Sequence, residues 1–344
     1  GNFTTADVNG CVAVGYDTLS GTLTSTAIGT VVIGHQAGKA ITSGARNIAV
    51  GYQTLDALTQ GDDNIALGHS AMGLLSTTDV SDRNIAIGNY AMDGVSSLAP
   101  TDNIFIGYDS GGGGWTGTLS KDNIGIGTST LAAAMNAATQ NIAIGVESLN
   151  DLTTGVANTM IGYRSGDKVT TSGYNVGVGF NALGAAVAGN DFNIAIGYDA
   201  MGNANHENCH HNVAVGAYAL DAIGANASWG QVAIGYHALG ETTSGLSNVA
   251  IGYQSGYYAT TADGSTFVGY KSGQGITGAK LTGDNNTAIG NNAGLLLQGA
   301  STGNTLVGGT AGSSLTTGTY CTIIGEAAGA TTTGSNNTFV GWRA

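Results

Sequence analysis

Along the chain, an aliphatic residue, a small residue and a second aliphatic residue recur in that order, each time followed by glycine. Residues 47–55 read NIAVGYQTL, 64–72 NIALGHSAM, 84–92 NIAIGNYAM, 141–149 NIAIGVESL and 193–201 NIAIGYDAM. Aligned on that glycine, from Gly15 through Gly145 to Gly341, the chain holds nineteen copies spaced 16 to 21 residues apart, with no gap between them. A fixed period of this length marks a repeat architecture rather than a globular core. The alternation of β-formers predicts a short strand of five or six residues in each copy. Two buried aliphatics contribute ~3–6 kcal/mol, against ~1–2 kcal/mol of backbone entropy for every ordered residue. One copy cannot fold alone, so copies must stack.

The remaining columns fit one turn of a stacked coil. Three residues after the glycine stands Ala, Ser or Thr in every copy, a position packed against a neighbouring rung or a neighbouring chain. The next residue is Leu or Met in ten copies and Gly in eight, and a loop such as TTGVAN, TTSGYN or TTTGSNN follows. Such residues turn chains. Asn stands four residues before the glycine in fourteen copies, where side-chain amides can bond from rung to rung. The expected fold is all-β: a parallel β-solenoid of about nineteen rungs forming one domain over 1–344. At ~4.8 Å per rung it makes a rod on the order of 90 Å long.

Within each strand, the flanking Ile and Val are expected to fill the core and the middle residue to point away from it. That middle residue is small at Ala49 and Ala86 but large at Phe105, Met160, Phe267, Leu306 and Phe339. An outward position that stays mostly apolar asks for a second surface, so these seven are expected to form a homotrimer interface.

N-x-A-[IV]-G followed by x-x-[AS] is similar to the head repeats of trimeric autotransporter adhesins, whose repeat is shorter. It resembles more closely the N-T-A-[IL]-G-Y-x-A-L…T-T-G-x-x-N repeats of bacteriophage tail-fibre proteins. QVAIGYHALGETTSGLSNVAIGYQSG (231–256) and NTAIGNNAG (286–294) carry the resemblance best. It implies a parallel homotrimer, extracellular display on a virion tail or cell surface, and attachment to host-surface glycans or receptors. The alternatives are a bacterial adhesin head, a subunit stacked end to end in an extracellular filament and, more remotely, an ice-binding solenoid. Threonines in loops, or at a strand position that is Ile elsewhere, argue against ice.

Composition narrows the function classes. A formal net charge of −13 with nine Lys plus Arg argues against nucleic acid, which needs clustered cations. No apolar run reaches the ~18 residues of a membrane span, so no membrane insertion is expected. Three scattered cysteines make no disulfide framework.

Candidate chemistry is sparse. HENCHH at 206–211 offers His206, Cys209, His210 and His211 as ligands for a transition metal, although the spacing matches no zinc module and a solvated loop explains it as well. No other cofactor is expected; the calcium nonapeptide of other solenoids does not occur. The carboxylates, among them Asp62, Asp63, Asp79, Asp102 and Asp284, are expected in turns, and no enzyme activity is expected. GYDSGGGGW (107–115) lacks the Lys-Ser/Thr of a phosphate loop. Trp115 and Trp229 are candidates for receptor contact, and a column of tyrosines after the glycine is expected to stack ring on ring. Recognition is expected in the longest loops, 73–83, 93–102, 110–122, 202–211 and 274–285.

Overall fold

A computed structural model describes residues 10–24, 26–75, 81–95, 99–115, 119–224 and 227–344. Among them there is no helix, and each repeat forms one turn of a parallel β-solenoid. The chain divides into two compact units, Gly1–Gly173 and Tyr174–Ala344. The first carries nine strands, from Val12–Val14 to Thr159–Ile161. The second carries ten, from Val176–Val178 to Thr338–Val340, and a small extra sheet of Cys209–His210 and Ser228–Trp229. Each repeat strand is only three residues long, shorter than the sequence suggests, because the glycine ends it at once. Pairing is parallel and in register, Ile48 on Ile65 and Val249 on Thr266 for example.

Stacking at this pitch explains the glycine. At Gly145 the backbone takes φ 128°, and a Cβ there would run into the carbonyl group of Gly162 one turn on. The obstacle is backbone and cannot move aside, so only glycine fits this corner.

The asparagine column is buried and forms the expected rung-to-rung ladder. Asn64 donates its side-chain amide to Asn47 Oδ1 at 3.0 Å and to the Ser81 carbonyl at 2.7 Å, and its backbone N–H also reaches Asn47 Oδ1. The pattern repeats at Asn84, Asn103, Asn123, Asn141 and Asn158. Each amide thereby joins three backbone or side-chain groups of adjacent turns. That satisfies the polar atoms which burial would otherwise penalise.

The strands face the opposite way from the expectation. Their middle residues point into the chain's own core: Ala49, Ala86, Phe105, Met160, Phe267 and Leu306 are fully buried. Phe339 is half-buried against Gly329. The flanking Ile and Val face outward, at 38 % exposure for Ile48 and Ile87. The six buried residues therefore cannot form an exposed interface with a second chain, and the reason is core volume. Two of the interior positions in each turn share one space, the middle strand residue and the residue four after the glycine. All ten turns with Leu or Met at the later position have Ala or Gly in the strand, as at Ala143 with Leu149. Six of the eight turns with Gly there have a larger strand residue, as at Phe105 with Gly111 or Leu306 with Gly312. The other two, Gly256 and Gly294, are filled from the next turn by Phe267 and Leu306. Between them these two positions supply about one large side chain per turn, which with further buried residues such as Leu58, Leu75 and Leu152 meets the close packing of protein interiors.

This compensation has a measurable consequence. Leu220→Gly alone should cost ~2–5 kcal/mol through the cavity it leaves, and Ala214→Leu alone ~1–3 kcal/mol through overpacking. The double variant reproduces the Leu306/Gly312 turn and should recover most of both losses. Urea denaturation of the four proteins checks this; strictly additive losses would contradict the shared interior.

Candidate functional site

With the middle residue turned in, every strand presents two outward side chains, and in the nineteen repeat strands none is Asp, Glu, Lys or Arg. In the first unit the outward rows include Ile33, Ile87, Ile126 and Ile161; in the second, Ile196, Ile234, Ile251 and Ile289. The result in each unit is a flat aliphatic sheet face, uncharged over its strands. In the second unit, five consecutive turns replace one outward row by threonine, Thr266 on Thr287, Thr305, Thr322 and Thr338.

Beside this face, the residue after the glycine builds runs of stacked aromatic rings where it is Tyr, His or Phe. Tyr236, Tyr253 and Tyr270 stack at 5.3 Å between neighbouring centroids. In the first unit histidines join it: Tyr16, His35, Tyr52 and His69 stack at 5.0–5.2 Å. The histidines occupy the same sequence column as the tyrosines, a signal that a search for tyrosine alone passes over.

Charges pair across neighbouring turns at the corners. Arg46 binds Asp63 at 2.7 Å and Asp62 at 3.1 Å, Arg83 binds Asp102 at 2.6 Å, and Lys168 binds Asp151 at 3.0 Å. These pairs are solvent-exposed and contribute only ~0–1 kcal/mol each. The turn carboxylates also accept backbone hydrogen bonds from the turn before: Asp62 from Ala45 N, Asp82 from Asp62 N and Asp284 from Asp263 N. Asp79 lies outside the described residues, as do 76–80, 96–98 and 116–118 of the loops 73–83, 93–102 and 110–122.

The structure does not bring His206, Cys209, His210 and His211 together as a ligand set. Cys209 is buried, and burial pushes its thiol up, away from the thiolate a metal needs. Strand alternation turns the adjacent His210 outward, where its Nδ1 lies 2.7 Å from Nδ1 of His211. His206 is occupied locally, its Nδ1 accepting from Asn208 N. Among the described residues no group of three or more His, Cys, Asp or Glu is placed to hold a metal ion.

The two tryptophans separate. Trp115 is buried edge-on against Phe105, with its Nε1 donating to the Gly111 carbonyl at 3.1 Å. It is a core residue and cannot touch a receptor. Trp229 is 45 % exposed and stacks on His210. In the loop 274–285, Ile276 and Ala279 form a tight antiparallel bridge, and Lys280 reaches Glu241 at 2.9 Å.

The most perturbed carboxyl is Asp221. Burial, and then the Asp199 carboxylate on the preceding turn, raise its pKa to about 6, although Asn203 donates a hydrogen bond to it. A group whose folded pKa is raised is protonated more readily folded than unfolded. Stability from it is greatest below the unfolded value near 4 and declines as pH rises towards 6. Asp221→Asn should therefore raise the denaturation midpoint at pH 7 and remove part of the pH dependence between about 4 and 6. Denaturation of both proteins across that range checks it; an unchanged difference at all pH values would contradict it.

Comparison with protein-family models, curated proteins and solved structures returns no match.

Proposed function

We propose that this chain is a structural and adhesive element of an extracellular fibre, of the kind found in bacteriophage tail fibres, in which copies associate through the outward aliphatic face. One observation carries the reading: a stacked sheet face, mostly Ile and Val, that carries no charge on its strands and stays partly exposed among the described residues. A fully buried Ile or Val gains ~1.5–3 kcal/mol, so each two-fifths exposed side chain leaves about 1 kcal/mol unrealised. Seven strand Ile and Val side chains in each unit reach that exposure, so each unit retains on the order of 5–10 kcal/mol of burial. That is comparable with the ~4–15 kcal/mol that association costs. The net charge of −13 per chain opposes close approach of copies, and a charge-free face is the place where they can meet. The N-x-A-I-G resemblance supports three copies, and the same resemblance supports attachment to host-surface glycans through the loops. Three chains displaying weak sites together would gain avidity.

The outward threonine row at Thr266, Thr287, Thr305, Thr322 and Thr338 supports a second reading, an ice-binding surface. The sequence argument against ice treats this strand position as inward, whereas it lies on the outer face. The two readings divide on whether the face is covered.

Light scattering after size exclusion tests both. The fibre reading expects about three times the chain mass of 34.0 kDa. Ile196→Lys combined with Ile234→Lys should reduce this to one chain without changing the β-sheet circular dichroism. A monomeric parent protein at micromolar concentration would overturn the fibre reading and send the threonine row to an ice-growth assay.

A further inference from the structure

At the corner before each asparagine, the second unit carries a different aromatic ladder. Tyr174 stacks on Phe192 at 4.9 Å with the ring planes 4° apart, and Phe192 on His211 at 5.1 Å and 15°. The three rings sit on successive turns and are solvent-exposed. On the next turn the same position is Gly230, and the ladder stops.

Backbone geometry does not demand that glycine. Tyr174, Phe192 and His211 each hold φ 59°, and Gly230 holds φ 69°, the same left-handed conformation. A Cβ on Gly230 would meet only Ser247 Oγ at 3.4 Å and Ser247 Cα at 3.8 Å, both ordinary contacts. What glycine does here is leave a ring-sized gap. From His211 past Gly230 to Ser247 is two rung heights, about 10 Å, which one further ring at stacking distance would divide in half. Beside the gap stands Trp229, held rigidly by the extra sheet: Cys209 and Ser228 point inward, while His210 and Trp229 point outward and stack at 6.4 Å and 17°. Backbone bonds from His211 N to Asp191 O and from Ser247 N to Trp229 O fix the walls.

We propose that this ledge binds one pyranose ring of a neutral saccharide, stacked on the side of His211 away from Phe192, where His210 meets His211 edge-on at 4.9 Å and Trp229 stands alongside. A pyranose has an apolar C–H face for the imidazole and a rim of hydroxyls for the exposed Ser247 hydroxyl and the Trp229 indole N–H. The side chains named here, those of His211, Trp229 and Ser247, carry no carboxylate or ammonium, which favours a neutral ligand. The choice of ligand rests on reading the chain as a surface-recognition element; the gap itself rests on the fold of the second unit alone.

Saturation-transfer NMR on the full chain, with cellotriose, chitotriose and mannotriose as probes, tests this site. Transfer to sugar C–H protons is expected for at least one probe, with a Kd of roughly 1 mM. Gly230→Phe, which continues the ladder and fills the gap, should weaken binding at least about tenfold while leaving the circular dichroism unchanged. Should that variant fail to fold, His211→Ala removes the stacking face and should have the same effect. No transfer to any of the three sugars, or undiminished transfer in a folded Gly230→Phe or His211→Ala protein, overturns the site. Either result, obtained with a trimeric mass intact, leaves the fibre reading standing.

Discussion

The buried amide column is the constraint on which the rest of this structure depends. An asparagine in the interior must find partners for both its N–H bonds and its carbonyl oxygen, or cost ~1–3 kcal/mol for each group left unmet. Here the partners are the asparagines of the turns before and after and a loop carbonyl one turn on: Asn141 donates to Asn123 Oδ1 and to the Gly155 carbonyl, and its own Oδ1 accepts from Asn158. A slip of one residue would leave these groups unpaired, so the column fixes the register of the strands and the loop start together. In-register stacking at a single rung height then requires glycine at the corner and allows only small residues where Thr130 or Ala200 lies buried. Loop length alone remains free, which is why the spacing varies from 16 to 21 residues.

Much of this was legible in the sequence. The period, the parallel stacking and the corner glycine follow from a glycine column that never changes, and the asparagine ladder from a column that is Asn in fourteen of nineteen copies. Side-chain direction did not follow, because a strand of three residues contains only one alternation and reads equally well with either face inward. The deciding signal was present but lay across two columns: Ala or Gly in the strand accompanies Leu or Met four residues after the glycine, and Phe105, Met160 or Leu306 accompanies Gly. Two positions that trade volume must share one space. Read singly, the large strand residues look like contacts to a partner; read as pairs, they are core.

The same inversion rearranges the candidate sites. Trp115 belongs to the interior because Phe105 does, and Cys209 is separated from His210 because the short extra sheet alternates like any other strand. What comes outward instead is a charge-free aliphatic sheet face flanked by stacked rings. Corner charges mostly pair with the adjacent turn, leaving association to apolar area and recognition to aromatic ridges and loops. Neither the joined Tyr–His ladder nor the gap beside Trp229 could be read from one repeat, since both arise only when successive turns are laid on each other.

The direction in which the strand side chains point is the claim from which the proposed association follows, and thiol labelling measures it directly. Ala195→Cys and Ile196→Cys place a thiol on the middle and on a flanking residue of one strand, in a chain whose half-buried Cys11 is first replaced by Ser and whose Cys209 and Cys321 are buried. The account predicts that the thiol at 195 stays protected in the folded protein at every concentration. The thiol at 196 should react quickly in dilute solution and become protected as copies associate. A reactive thiol at 195 beside a protected one at 196 in dilute, monomeric protein would contradict the account, since the strand faces would then be reversed.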